Sequence, residues 1–174
     1  ETEIGAIKRA DLVLVQCKAT STAEVAESLR PLTASGAVFI SFQNGLGNEE
    51  ILSEVLGAEN VLGGLTSMAG AKLGPGHIRD FDRSLSYIGE LTGGLSERAQ
   101  EIAKRLTNAG LETFASTDIQ AEIWKKLLGN ITVSAVSGLT NLTGAQILRR
   151  SDLKAVCYNA LDEALSIAHA HGIL

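Results

Sequence analysis

Apolar positions recur along this chain in two rhythms, and the change from one to the other marks its organisation. Asp11-Leu-Val-Leu-Val-Gln16 is an unbroken apolar run bounded by polar residues, the pattern of a short strand buried on both faces. Ser21-Thr-Ala-Glu24 then has capping-box spacing, and Val25, Ala26, Leu29 and Leu32 fall on one side of a helix that Pro31 and Gly36 close. A second apolar run, Ala37 to Phe42, leads through Asn44-Gly-Leu-Gly47 into a helix from about Asn48 to Leu56, and Asn60 to Leu65 is a third short strand. This alternation predicts βαβαβ with right-handed crossovers: a parallel sheet flanked by helices, with ligands at the carboxyl ends of its strands. Two loops lie at that end, Lys18 to Ser21 and Gln43 to Gly47.

Between Ser67 and Gly93 the chain becomes glycine-rich. Turns at Gly70 and Gly74-Pro-Gly76, with the alternating run Arg83 to Gly89, predict antiparallel strands that close the sheet. Ser96 to Ala109 has the spacing of an amphipathic helix, with Ala99, Ile102, Ala103 and Leu106 on one face, and Leu111 to Ala115 reads as a last strand. After Thr117-Asp-Ile-Gln120, a second capping-box pattern, the helical period takes over completely. Helices are expected at about Asp118 to Val136, Gly144 to Arg149 and Asp152 to His171. No internal repeat or low-complexity linker interrupts the chain.

Composition narrows the class of function. The 174 residues are 45% hydrophobic and 20% charged, an ordinary globular balance, and a net charge of -5 from 15 basic and 20 acidic residues argues against nucleic acid as the partner. No apolar stretch approaches the length of a membrane span, and Glu-Thr-Glu-Ile at the start is no signal peptide. Cys17 and Cys157 lie far apart without metal-knuckle spacing, so reduced thiols and a cytoplasmic setting are expected, in which the sequons at Asn130 and Asn141 are incidental. Small-molecule chemistry fits this profile.

Candidate chemistry centres on Glu122-Ile-Trp-Lys-Lys-Leu-Leu-Gly-Asn-Ile-Thr132. Lys126 and Asn130 are four apart and share a helix face beside Ile123, Leu127 and Ile131. An ammonium held there loses hydration worth several kcal/mol unless a polar or anionic partner meets it, which is a site geometry; the alternative is a lysine that snorkels along its helix. Lys125, about 100° round the helix, falls off that face. Gly129, costly inside a helix, hints at close packing by a neighbour or ligand. Upstream, Gly45-Leu-Gly47-Asn-Glu-Glu50 copies the first two glycines of a dinucleotide loop, but Glu50 in the third position would repel a pyrophosphate, so it is rejected as the phosphate loop. It serves as a tight strand-to-helix turn where backbone can approach a ligand. His77, His169 and His171 have no ligand spacing, no metal is expected, and Trp124 reads as a buried anchor.

The order of these features is specific: Lys18 after one strand, Gln43-Asn-Gly-Leu-Gly47 after the next, the Gly74-Pro-Gly76 turn, Ile88-Gly89, then Trp124-x-Lys126-Leu-x-x-Asn130 opening a helical region. In this order the chain resembles the ketopantoate reductase (2-dehydropantoate 2-reductase) family. The resemblance implies an α/β fold: a partial Rossmann-type parallel sheet over residues 1–116, the C-terminal part of a dinucleotide-binding domain, followed over 117–174 by the start of an all-α C-terminal domain. It implies NADPH as cofactor, a small 2-keto acid as substrate, and a homodimer through the helical domain. Lys126 matches the family's catalytic lysine and Asn130 its substrate-binding asparagine. Asn44 matches an asparagine near the reacting centre on the cofactor side, and Lys18 and Ala71 match other cofactor-side positions.

Departures accompany the likeness. Ser134 stands where many members carry a second substrate asparagine, Gly144 occupies another position that is often asparagine, and Ser21 replaces a common glutamine. The glycine-rich loop and the basic residue that reads the 2'-phosphate are expected before Glu1, and further helical-domain residues after Leu174. A polypeptide of this extent alone is accordingly expected to be inactive and to expose apolar edges. A reductase of another small 2-keto acid, and a non-catalytic α/β interaction module, remain as alternatives.

Overall fold

The computed structural model describes residues 4–82 and 84–173, the side chain of Asp82 apart, so Arg83 in the alternating run lies outside the described residues. The chain divides into two compact units, Glu1–Glu122 and Ile123–Leu174.

The first unit is built on strands β1 (Leu12–Val15), β2 (Val38–Ser41) and β3 (Val61–Thr66), joined by helices α1 (Thr22–Leu29) and α2 (Asn48–Leu56). The three strands are parallel, with Leu12 opposite Val38 and Phe39 opposite Val61. Side chains alternate between faces along a strand. Phe39 and Val61 therefore join Val15, Ala26, Leu29, Leu32, Leu52 and Leu56 in a core beneath α1 and α2. Ile40 and Leu62 face the other way, into a second core with Phe42, Ile88, Ala99 and Ala103 of helix α3 (Glu97–Asn108). Each fully buried side chain of this size contributes about 1.5–3 kcal/mol, so both faces of the parallel strands are held by apolar burial. The edge residue Leu14 on β1 is 42% exposed.

Beyond β3 the sheet changes direction. Strand β6 (Ser86–Gly89) pairs antiparallel with β3, and β7 (Thr113–Ala115) pairs parallel with β6, giving the order β1-β2-β3-β6-β7. The expected antiparallel closure is thus made by β6 alone. Strands β4 (Ala69–Gly74) and β5 (His77–Asp82), joined by the Pro75-Gly76 turn, form a separate two-stranded sheet instead. Their register shifts between Ala69 and Gly70 and again between Lys72 and Gly74, irregularities that twist a hairpin away from a flat ladder.

Helix starts differ from the spacing rules in an instructive way. Ser21 makes no side-chain cap to α1: a 3-10 turn over Ala19–Ser21 leads into the helix and leaves Ser21 at φ -108, ψ 3, outside the extended conformation that a capping residue uses. Asp118, not Thr117, caps helix α4 (Ile119–Thr140), its Oδ1 accepting from the Ala121 amide at 3.0 Å. The capping box that does form is at Thr143, where helix α5 (Gly144–Leu148) begins: the Thr143 amide donates to Gln146 Oε1 at 2.8 Å and Gln146 N donates back to Thr143 Oγ1. In the second unit Asn141, at φ 57, ends α4, and helix α6 (Ser151–Ala170) buries Cys157, Ala164 and Ala168 along one face.

Paired glycines seat the first turn of α4 on the sheet. Gly63 and Gly89 face each other across β3 and β6, and an added Cβ at Gly89 would stand 2.8 Å from Ser116 O and 3.1 Å from Ile119 Cβ. Ile119 itself is 1% exposed. Gly64 is as tightly enclosed from the β2 side, its missing Cβ falling 2.8 Å from both Ile40 Cγ2 and Ser41 O. Gly129, by contrast, has nothing within 4 Å of an added Cβ, so no described residue makes the close packing expected of a neighbouring helix there. Gly64→Ala forces a methyl group into backbone and should destabilise the fold by about 1–3 kcal/mol, whereas Gly129→Ala should leave it unchanged or more stable. Denaturant midpoints of the two variants decide this; equal midpoints would contradict the packing described.

Candidate functional site

Polar chemistry in the first unit collects at the carboxyl ends of β1 and β2, because the strands themselves are apolar on both faces. Gln43, 8% exposed, reaches from the end of β2 to the loop after β1, its Nε2 donating to Cys17 O at 2.9 Å and to Thr22 Oγ1 at 2.8 Å. Thr22 Oγ1 donates to Asn48 Oδ1 at 2.9 Å, and Asn48 Nδ2 to Asn44 O at 3.4 Å. Thr22 and Asn48, each the first residue of its helix, are fully buried. Gly45 and Gly47, at φ 97 and 88, carry the chain round the turn into α2. Lys18 and Asn44, both exposed, are the residues next to Cys17 and Gln43, so the structure brings these two expected cofactor-side residues to neighbouring, mutually tied loops.

Beside the strand ends on the α3 face lies a cavity of about 370 Å³, lined by Leu14, Gln16, Phe42, Thr66, Met68 and Gly70 among others. Neither Lys18 nor Asn44 lines it. Ala71 sits half-buried on the separate hairpin in β4, opposite Arg79, and it too is outside the lining, although its neighbours Ala69 and Gly70 contribute.

In the second unit Lys126, Asn130 and Ser134 follow one another at four-residue intervals along a single stripe of α4. Lys126 and Asn130 are half-buried, Ser134 is exposed, and Lys125 points to solvent. Burial holds the Lys126 ammonium below the ordinary lysine range. The same stripe continues to Val133 and Ser137, which with Ser134, Gly138 and Gly144 line a shallow concavity of about 420 Å³.

Sequence comparison decides the family. The family model described as ketopantoate reductase PanE/ApbA matches residues 2–93, and that of the ketopantoate reductase PanE/ApbA C terminal region matches residues 118–174. The chain belongs to the ketopantoate reductase family. The 2-dehydropantoate 2-reductase of Halobacterium salinarum is 30% identical over 172 residues, 99% of this chain and 56% of that protein. That of Archaeoglobus fulgidus is 32% identical over 158 residues, 91% of this chain and 52% of its own length. The crystal structure of 2-dehydropantoate 2-reductase from Geobacter metallireducens GS-15 matches with a TM-score of 0.90 at 29% identity, over 97% of this chain and 56% of that one. The chain thus spans about half the length of the curated relatives it matches.

Within this ketopantoate reductase-family chain, the residues that sequence reasoning passed over are Gln43, Thr22, Asn48 and Glu49. Their signal was faint: a polar residue in a strand-end loop or in the first turn of a helix is ordinary, and only the fold shows that these turn inward. Glu49 is 4% exposed in the first turn of α2 and accepts hydrogen bonds from the Ser41 hydroxyl and its own amide. Desolvation outweighs these bonds and the neighbouring Glu50 adds to it, so the Glu49 carboxyl is pushed above its ordinary value of 4.5. No group of three or more potential metal ligands is present among the described residues, and no described helix is long and apolar enough to cross a membrane.

A carboxyl with a raised folded-state pKa binds its proton more tightly in the folded than in the unfolded chain, so stability falls as pH rises from about 4.5 through the folded value. Glu49→Gln removes that penalty. Its melting temperature should exceed the parent's at neutral pH, with the difference closing as the medium is taken below pH 4.5. An advantage that persists unchanged into acid would show that ionisation of Glu49 is not the cause.

Proposed function

We propose that the protein to which this chain belongs reduces ketopantoate to pantoate with NADPH, the pantoate-forming step that leads to pantothenate. The observation that carries this reading is the half-buried Lys126 on the stripe it shares with Asn130. Family membership supports it, since the curated relatives are named 2-dehydropantoate 2-reductases. When bound, the dinucleotide supplies hydride to the carbonyl carbon of the keto acid, and a proton must then reach the carbonyl oxygen. Lys126 is assigned both electrostatic tasks: its ammonium stabilises the developing alkoxide and then gives up a proton. Burial lowers its pKa and makes it the readier acid, while a substrate carboxylate nearby opposes that shift. Asn130, one turn on, offers a neutral carboxamide to a substrate hydroxyl or carboxylate.

Residues at the strand ends suit a dinucleotide. Lys18 and Asn44 are exposed on tied loops, and the adjoining cavity is walled by Leu14, Phe42 and Met68 with Gln16 and Thr66 among them, a mostly apolar lining with a few polar groups of the kind that accepts a planar ring. Lys18, Asn44 and Ala71 are assigned the cofactor side on that basis and on the family resemblance. Assembly as a homodimer through the helical region belongs to the same proposal.

One observation favours a second reading, reduction of a different small 2-keto acid. Ser134 and Gly144, two positions that depart from the family pattern, line an open concavity on the stripe that carries Asn130.

The complete natural protein should oxidise NADPH on addition of ketopantoate, followed by loss of reduced-nicotinamide absorbance; turnover only with other keto acids selects the second reading, and none with any refutes both. Lys126→Ala should lower kcat by about 10²–10⁴-fold while Lys125→Ala stays near the parent. Equal losses would break the assignment of the two lysines to different faces. Because the protonated amine is the active form, kcat/KM for reduction should fall as pH rises, with the midpoint of that limb below the ordinary lysine value of 10.5. A limb at or above that value would argue that Lys126 is not the acid.

A further inference from the structure

The buried hydrogen-bond chain under the two strand-end loops has one orientation open to it. Cys17 O can only accept, so Gln43 must present its nitrogen there, and the second hydrogen on that nitrogen goes to Thr22 Oγ1 at 2.8 Å. With an acceptor lone pair thus engaged, the Thr22 hydroxyl points its hydrogen at Asn48 Oδ1 at 2.9 Å, which turns Asn48 Nδ2 toward Asn44 O. The series begins one residue before Lys18 and ends on the backbone of Asn44. The orientation has a consequence for Gln43 itself: its Oε1 is buried without a hydrogen-bond partner among the described residues. A buried acceptor left unpaired costs stability, and that cost stands against the two hydrogen bonds by which the same side chain partners Cys17 O and Thr22 Oγ1.

We propose that Gln43 is a positioning residue: acting through Thr22 and Asn48, it locks the loop after β1 to the loop after β2, so that Lys18 and Asn44 are presented to the dinucleotide in one fixed arrangement. The proposal rests on the cofactor-side reading of those two residues for its functional consequence, and on the hydrogen bonds alone for the lock. Gly45 and Gly47 follow Asn44 directly and allow many backbone conformations, so a tether at Gln43 and Asn48, on both sides of the turn, is what limits them. Preorganisation of this kind lowers the ordering cost of binding and shows in affinity for the cofactor before it shows in the chemical step.

The test uses the full-length protein with four substitutions: Gln43→Leu, Thr22→Val, both together, and Thr22→Ser, which keeps the hydroxyl. Amide hydrogen exchange is read over residues 18–21 and 43–47, and KM for NADPH and kcat are measured in parallel. Gln43→Leu and Thr22→Val should each speed exchange about tenfold in both segments at once, and the double variant should add little, as expected for members of one network. Thr22→Ser should behave as the parent. KM for NADPH should rise about tenfold with a smaller change in kcat. Exchange that quickens only in the segment bearing the substitution, effects that multiply in the double variant, or Thr22→Ser as loose as Thr22→Val would each overturn the lock. Coupled loosening with KM unchanged would overturn the positioning role. A parent protein that does not oxidise NADPH defeats the proposed function instead, and the exchange measurement still decides the lock.

Discussion

Burial of the parallel strands on both faces is the constraint from which the rest of the first unit follows. Val15, Phe39 and Val61 are covered by α1 and α2 while Ile40 and Leu62 are covered from the α3 side, so these side chains are not available for chemistry without opening a core. Polar groups are pushed to the strand ends, where backbone amides and carbonyls lose their ladder partners and side chains must satisfy them. Gln43, Thr22 and Asn48 do so. The crossover helices begin there as well, and their first residues become part of the same network.

A different balance governs the helical unit. Beyond Ile123 and Trp124 at the start of the unit, its buried residues are Ile147, Cys157, Ala164 and Ala168, and α4 carries a stripe of polar residues among half-buried apolar ones. On that stripe desolvation costs the Lys126 ammonium some of its proton affinity, while Lys125, one residue earlier, lies on the exposed side of the helix. A change of one position along a helix thus separates a half-buried ammonium from an exposed one. Shape follows a parallel logic at Gly63, Gly64 and Gly89, where the absence of a side chain, not its presence, lets Ile119 and the β2 backbone come close.

Much of the fold was legible because its signals are local. Apolar runs announced β1, β2 and β3, and α2 begins and ends where the turn at Gly47 and the helical period placed it, at Asn48 and Leu56. Membership of the ketopantoate reductase family was readable from the order of short motifs. What failed were inferences about which side chain satisfies which group: Ser21 lies in a 3-10 turn and caps nothing, Asp118 takes the place of Thr117, and the true capping box at Thr143 passed unnoticed. Several residue types can cap at a given spacing, and the backbone angle at the junction chooses among them. The hairpin erred for a related reason, since alternation predicts a strand but not its partner, and β4 and β5 satisfied each other.

The sequence by itself determined the apolar strands, the helical stretches and the placing of Lys126 and Asn130 on one helix face, because periods of two and 3.6 residues are properties of the chain alone. Only the tertiary structure decided that Gln43 would bridge to Cys17 and Thr22, 26 and 21 residues away, that Glu49 would be buried, and that Gly129 would face open space. Hydrogen-bond partners distant in sequence, and the loss of water around a charge, exist only once strands and helices have been brought together.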